Sequence, residues 1–200
     1  LPVQKPTSTN PIHQYFMDIA LGNEFGSNQA SIKKWNRAID MQVKGQPTQE
    51  DMQTLKKVIY NLSLLTRLTI RLTEEKSANF KVYFVPESEF SQIEPHYKPG
   101  NKGFCWTWWN PFTSEIYQAK VLISTTLLTQ QERNHLIYEE ITQSLGLMND
   151  SNRYADSIFY QPWSRVTRFS EMDRAVIRLL YDQAILPSMD REDVIKVLNP

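Results

Sequence analysis

Glu139-Glu140-Ile141-Thr142-Gln143-Ser144-Leu145-Gly146-Leu147-Met148-Asn149-Asp150 is the stretch on which the reading of this chain turns. On an α-helix advancing about 100° per residue, Glu139 and Gln143 stand one turn apart and roughly 40° from each other. His135 falls about 40° to the other side of Glu139, and Glu140 about 60° beyond Gln143. The four polar side chains therefore share one arc, while Ile137, Ile141 and Leu145 form an apolar stripe on the opposite side. Gly146 is a natural left-handed helix terminator, placed just before Asn149 and Asp150. A polar arc of this kind is ordinarily the solvated face of an amphipathic helix, and that is the plain reading of Glu139, Glu140 and Gln143.

The helix that carries the stretch is announced by a capping box, Thr129 with Glu132. Upstream, Asn10-Pro11 opens a first helix by cap and first-turn proline, with Ile12, Phe16, Ile19 and Ala20 on one face and Gly22 at its end. Ile39, Met41 and Val43 alternate with polar residues up to Gly45, which reads as a half-buried strand. Thr48 with Asp51 caps a long helix whose core positions are Met52, Leu55, Ile59, Leu62 and Leu65. Leu68-Ile70-Leu72 and Phe80-Val82-Phe84 are two short strands, and Pro86 to Gly103 reads as an irregular connection. Phe104 to Trp109 and Ile116 to Ile123 form a hairpin around the Asn110-Pro111 turn signal. After the stretch, Asn149 to Phe169 is mainly loop, Ser170 with Asp173 caps a further helix, and Asp190 with Asp193 opens a last one.

Two hundred residues suffice for one domain with a substantial core. Residues 1–9 read as a flexible lead and residues 10–200 as a single domain. Lysine plus arginine equals aspartate plus glutamate at 22 each, so no global field draws a nucleic acid or an anionic membrane. No run of about 18 apolar residues predicts a membrane span. The single cysteine, Cys105, excludes an internal disulfide and a cysteine-based zinc site, and reads as a small buried hydrophobe.

Downstream of the stretch stand Ser157-Ile158-Phe159-Tyr160, then Phe169-Ser170 with Asp173, then Leu180-Tyr181. Together these residues resemble the catalytic half of the metzincin metalloproteases, matrixin-like members especially. Those enzymes read H-E-x-x-H-x-x-G-x-x-H, followed by an S-x-M-Y Met-turn and a final helix ending in leucine-tyrosine. Glu139, Gln143 and Asn149 occupy the three ligand positions, Glu140 the general-base position and Gly146 the turn; Phe159 stands where the enzymes have methionine. The E-E-x-x-Q, G-L-x-N-D, S-I-F and L-Y-D elements, with Pro187-Ser188-Met189, also resemble a family of uncharacterised, mostly exported bacterial proteins with a degenerate zincin domain. That second resemblance spans nearly the whole chain. It implies an α/β fold with a zincin-like mixed sheet packed on helices, a metzincin-like degenerate HExxH helix and a periplasmic or extracellular location.

The substitutions decide what chemistry to expect. Catalytic zinc is held by three protein ligands, usually including imidazole, and leaves a fourth position for a water. Gln143 and Asn149 offer neutral amide oxygens, so neither a zinc site nor any other cofactor is expected. Glu139, Asn149 and Asp150 present oxygens of the kind a hard cation takes, and His135 with Glu139 and Glu140 is a displaced metal set to weigh. The expected role is a non-proteolytic pseudo-enzyme that binds or scaffolds a protein, peptide or glycan. The alternative is a metal-independent hydrolase in which Glu139, Glu140 and Gln143 activate a water. Trp106, Trp108 and Trp109 are the candidate binding surface, with alternation placing Trp109 on the face opposite the other two. The metzincin resemblance further implies that Ile116 to Ile123 would bind an extended ligand.

Overall fold

A computed structural model describes residues 10–22 and 30–199. The expected lead at residues 1–9 lies outside that range. Helix α1 (Pro11–Leu21) starts where Asn10 caps Ile12, and α2 (Gln49–Thr66) starts at the Thr48–Asp51 capping box. The strands are β1 (Lys34–Trp35), β2 (Ile39–Gly45), β3 (Ile70–Leu72), β4 (Phe80–Val85), β5 (Gly103–Trp109) and β6 (Glu115–Ser124). A 3-10 turn and the short helix α3 (Phe90–Ile93) interrupt the connection read as irregular. Helices α4 (Gln130–Gln143) and α5 (Glu171–Leu180) both begin at the expected capping boxes, and α6 (Arg191–Leu198) begins at Asp190.

Strands β3, β2, β4 and β6 lie side by side in that order, all parallel, with β5 antiparallel to β6. The two residues of β1, too short to show a period in the sequence, pair parallel with the start of β6. This is the zincin-like mixed sheet packed on helices that the sequence implied. Val82, Phe84, Val121 and Ile123 point to one face, where they join Leu55, Leu62, Ile137, Ile141 and Val176 in the main core. On the opposite face Phe90 and Tyr97 pack on Val85 and Leu122. Among the described residues no helix is long and apolar enough to cross a membrane.

One expectation is overturned by this topology. Residues Ala119 to Ile123 of β6 pair with β4 and with β5 at once, so both edges of that strand are spent. An extended ligand cannot add to it. The strand that ends the sheet on this side is β5. Ser124 N donates to Lys102 O at 2.8 Å, which makes 102–124 a hydrogen-bonded pair of the antiparallel ladder. By the alternation of such ladders, the amides and carbonyls of Gly103, Cys105 and Thr107 then point away from β6.

Candidate functional site

Helix α4 packs under β5 and β6, and a buried ion pair between Arg133 and Asp51 at 2.9 Å ties it to α2. This packing reverses the plain reading of its polar arc. His135, Glu140 and Gln143 are all buried, and the Glu139 side chain is only 14% exposed. The arc is not a solvated face; it is turned into the protein toward β5. The helix ends at Gln143, and Gly146 turns the chain with φ +119°, where a Cβ would fall 2.0 Å from the Lys33 carbonyl oxygen. Glycine is needed there for both conformation and space.

Glu140 lies against the inner face of β5. A Cβ at Gly103 would meet its Oε1 at 2.5 Å and Leu136 Cδ2 at 2.8 Å, so the glycine lets the strand pass close over the carboxyl without displacing these side chains. Two residues on, the half-buried Cys105 presents its thiol to the same group and to Gln143 Oε1 at 3.7 Å. Burial, then the negative charge of Asp150, push the Glu140 carboxyl up to about 8, against a smaller opposing hydrogen bond from Cys105. The protonated form of Glu140 is thus favoured over its ordinary balance. Burial and the neighbouring Glu140 also push the Cys105 thiol up, which makes it an inert group and not a nucleophile.

The amides of Gln143 and Asn149 both donate inside the fold. Gln143 Nε2 donates to Asp150 Oδ1 at 2.6 Å, bridging the end of α4 to the segment beyond the glycine turn. Asn149 Nδ2 donates to the Ile19 carbonyl at 3.0 Å, and the Asn149 backbone N–H reaches the same oxygen at 3.1 Å, which docks this segment on α1. His135 Nδ1 donates to the Val166 carbonyl at 2.7 Å, and its Nε2 lies 3.5 Å from Glu139 Oε2. Burial lowers the His135 pKa, which opposes the second proton an ion pair with Glu139 would need. Among the described residues no group of three or more His, Cys, Asp and Glu side chains is placed to hold a metal ion. The donor set at Glu139, Gln143 and Asn149 does not fit a zinc centre: one carboxylate stands with two neutral amides, where catalytic zinc takes imidazole, thiolate or carboxylate ligands.

The segment of residues 157–160 is pinned from two sides. Phe159 is fully buried, and its carbonyl accepts from Ser151 N at 2.8 Å, two residues past Asn149. Ser157 Oγ donates to Asp173 Oδ1 at 2.5 Å and accepts from Phe159 N at 3.0 Å, while the Tyr15 hydroxyl lies 2.7 Å from it. Asp173 Oδ2 accepts from Ile158 N and from Ser170 N, so the residue that caps α5 also holds the turn. Sequence reading found Asp173 as a cap; its second role needed the fold.

The tryptophans divide between the two faces of β5. Trp106 lies on the outer face, stacked on His96 with centroids 4.0 Å apart and planes 4° apart, and Lys120 Nζ sits 5.5 Å over Trp108. His96 carried no sequence motif, yet it and Lys120 both contact the buried Glu94, at 2.6 and 3.1 Å. Trp109 is 37% exposed, with Lys33 Nζ 5.0 Å above its ring, and Phe112 at the hairpin tip is 91% exposed.

Among solved structures the fold is similar to two of myroilysin. One matches with a TM-score of 0.50 at 11% identity, covering 90% of this chain and 99% of that one. The other matches with a TM-score of 0.48 at 12% identity, covering 76% and 83%. No curated protein matches the sequence. Residues 9–200 match the model of one family, and the chain belongs to it: DUF2927, described as a protein of unknown function.

Proposed function

We propose that this domain is a non-proteolytic, pseudo-enzyme zincin-like protein, exported from the cell, that binds an extended segment of a partner along the free edge of β5. The observation that carries the reading is the internal use of both amides: Gln143 is committed to Asp150 and Asn149 to Ile19, so the former ligand positions serve as structural struts. Beside them, β5 offers outward amides and carbonyls at Gly103, Cys105 and Thr107, and no charged residue or proline occurs between Gly103 and Trp109. An edge without such protection is suited to pairing with another strand. Trp109 and Phe112 stand exposed at the end of this edge and supply aromatic anchoring area.

The metal-independent hydrolase using Glu139, Glu140 and Gln143 has less support. A general base must start deprotonated, and a carboxyl raised to about 8 and covered by Gly103 and Cys105 starts as an acid at neutral pH.

Two experiments test the proposal. Elemental analysis after dialysis against a mild chelator should find well below one equivalent of zinc; a retained full equivalent would sink the pseudo-enzyme reading. For binding, Thr107→Pro removes one outward N–H while leaving the β5–β6 ladder intact, as proline is tolerated on edge strands. Peptide-library capture by the wild-type protein should fall at least fivefold in this variant. Equal capture by both proteins would place the binding surface elsewhere.

A further inference from the structure

On the side of the end of α4 away from Glu140, the exposed bend between β1 and β2, the end of α2, the segment after α5 and the β5–β6 turn line an open surface cleft of about 710 Å³. Its floor is rigid. The buried Trp35 donates from Nε1 to Ser144 O at 3.0 Å, and the Tyr181 hydroxyl donates to Leu145 O at 2.9 Å. Lys34 in the wall is fully engaged, donating to the carbonyls of Leu180, Asp182 and Ile185. The two acids that line the cavity are also hydrogen-bonded: Glu115 accepts from Asn36 Nδ2 at 2.7 Å and Asp182 from Ala184 N at 2.8 Å.

The two arginines of the same cavity differ from all of these. Arg37 and Arg67 are exposed, and among the described residues neither guanidinium has a hydrogen-bond or ion-pair partner. Arg67 is held at the rim by its backbone, in the left-handed conformation at φ 61° with its N–H bonded to Ser63 O. The lining also includes Leu68, Leu186 and Pro187. A pocket of this size with apolar walls and a few polar groups is the usual form of a small-molecule site. Guanidinium forks match phosphate oxygens in geometry, and two uncommitted positive charges match the dianion of a phosphate monoester better than the single charge of a carboxylate.

We propose that this cavity binds a small phosphate monoester, with Arg37 and Arg67 on the phosphate and the apolar part of the ligand resting on Leu68 and Leu186. The cleft reaches the β5–β6 turn at Thr113 and Glu115, but no residue from Gly103 to Trp109 lines it, so phosphate binding is measured independently of the peptide-binding reading. Isothermal titration with phenyl phosphate tests it, with inorganic phosphate and benzoate as comparison ligands. The wild-type protein should bind phenyl phosphate saturably and more tightly than either comparison. Arg67→Gly keeps the left-handed helix end that glycine favours, and Arg37→Gln does not touch a helix. Each should weaken binding about tenfold, as loss of a charge-assisted pair does, while Lys81→Gln on the outer sheet face should leave it unchanged. No saturation up to about 10 mM, far weaker than a functional site requires, would overturn the proposal. Wild-type affinity retained in both arginine variants would overturn it as well, and so would benzoate binding as tightly as phenyl phosphate.

Discussion

Two glutamates are buried on the two faces of β5, and their carboxyls are driven in opposite directions. Glu140, on the inner face, has the Asp150 charge, the Cys105 thiol and the Cα of Gly103 around it, and its pKa rises to about 8. Glu94, on the outer face, is 1% exposed, and burial alone would raise it too. Bonds from His96 Nδ1, the His96 backbone N–H and Lys120 Nζ outweigh that penalty and take it below its ordinary value. Burial does not by itself decide the charge of an acid; the donors that reach it do. The inner face disfavours charge on its acid, and the outer face surrounds its acid with donors that favour charge.

The largest expected difference between the two faces is in the pH dependence of stability. The folded pKa of Glu140 lies above its ordinary value of 4.5, so the stability present below 4.5 is lost as pH rises toward about 8, where the unfolded chain ionises and the folded one resists. Glu140→Gln removes that loss. Urea denaturation should show the variant more stable than wild type by as much as about 4 kcal/mol at pH 8, with little difference at pH 4.5. A variant that is no more stable at pH 8 than at pH 4.5, relative to wild type, would show that Glu140 is charged in the fold.

Glu94 carries the opposite sign. Its folded pKa is depressed, so its contribution is present above about 4.5, the usual carboxylate range, and is lost as pH falls through the folded value. Removing its main cation in Lys120→Met leaves the carboxylate buried with His96 alone, which should cost about 3 kcal/mol at pH 7 in the same denaturation experiment. The double variant Lys120→Met with Glu94→Gln should recover most of that loss. Failure of the second change to rescue the first would mean that Lys120 acts through its packing on Trp108 and not through charge.

The smallest effects separate the tryptophans. Trp106→Ala removes a ring stacked on His96 and should cost about 1–2 kcal/mol of stability, measured by the urea midpoint. Trp109→Ala, at an exposed position, should change stability by less than about 1 kcal/mol and instead weaken partner capture by about 1–3 kcal/mol. The reverse pattern would move the binding surface to the outer face.

Local signals in the sequence carry far in this protein. The capping boxes at Thr48–Asp51, Thr129–Glu132 and Ser170–Asp173 all form, because each satisfies helix-end amides with residues three positions apart. Alternation placed β2, β4 and the β5–β6 hairpin, since a strand with one buried face writes its period into the chain. The glycine at 146 was legible as a terminator for the same local reason, and the stretch around it pointed to the mixed sheet on helices that the structure has.

What the tertiary structure alone decided is which face of α4 meets water and which edge of the sheet is free. The arc of Glu139, Glu140 and Gln143 has the composition of a solvated surface, and only the passage of β5 over it, permitted by Gly103, buries it. The pairing of β6 on both sides comes from strands distant in sequence, so no local pattern revealed that β5 and not β6 ends the sheet. The partners of Gln143, Asn149 and His96 likewise arrive from other segments. A side chain's charge and hydrogen bonds depend on neighbours brought together by packing, whereas helix caps and strand periods depend on neighbours along the chain.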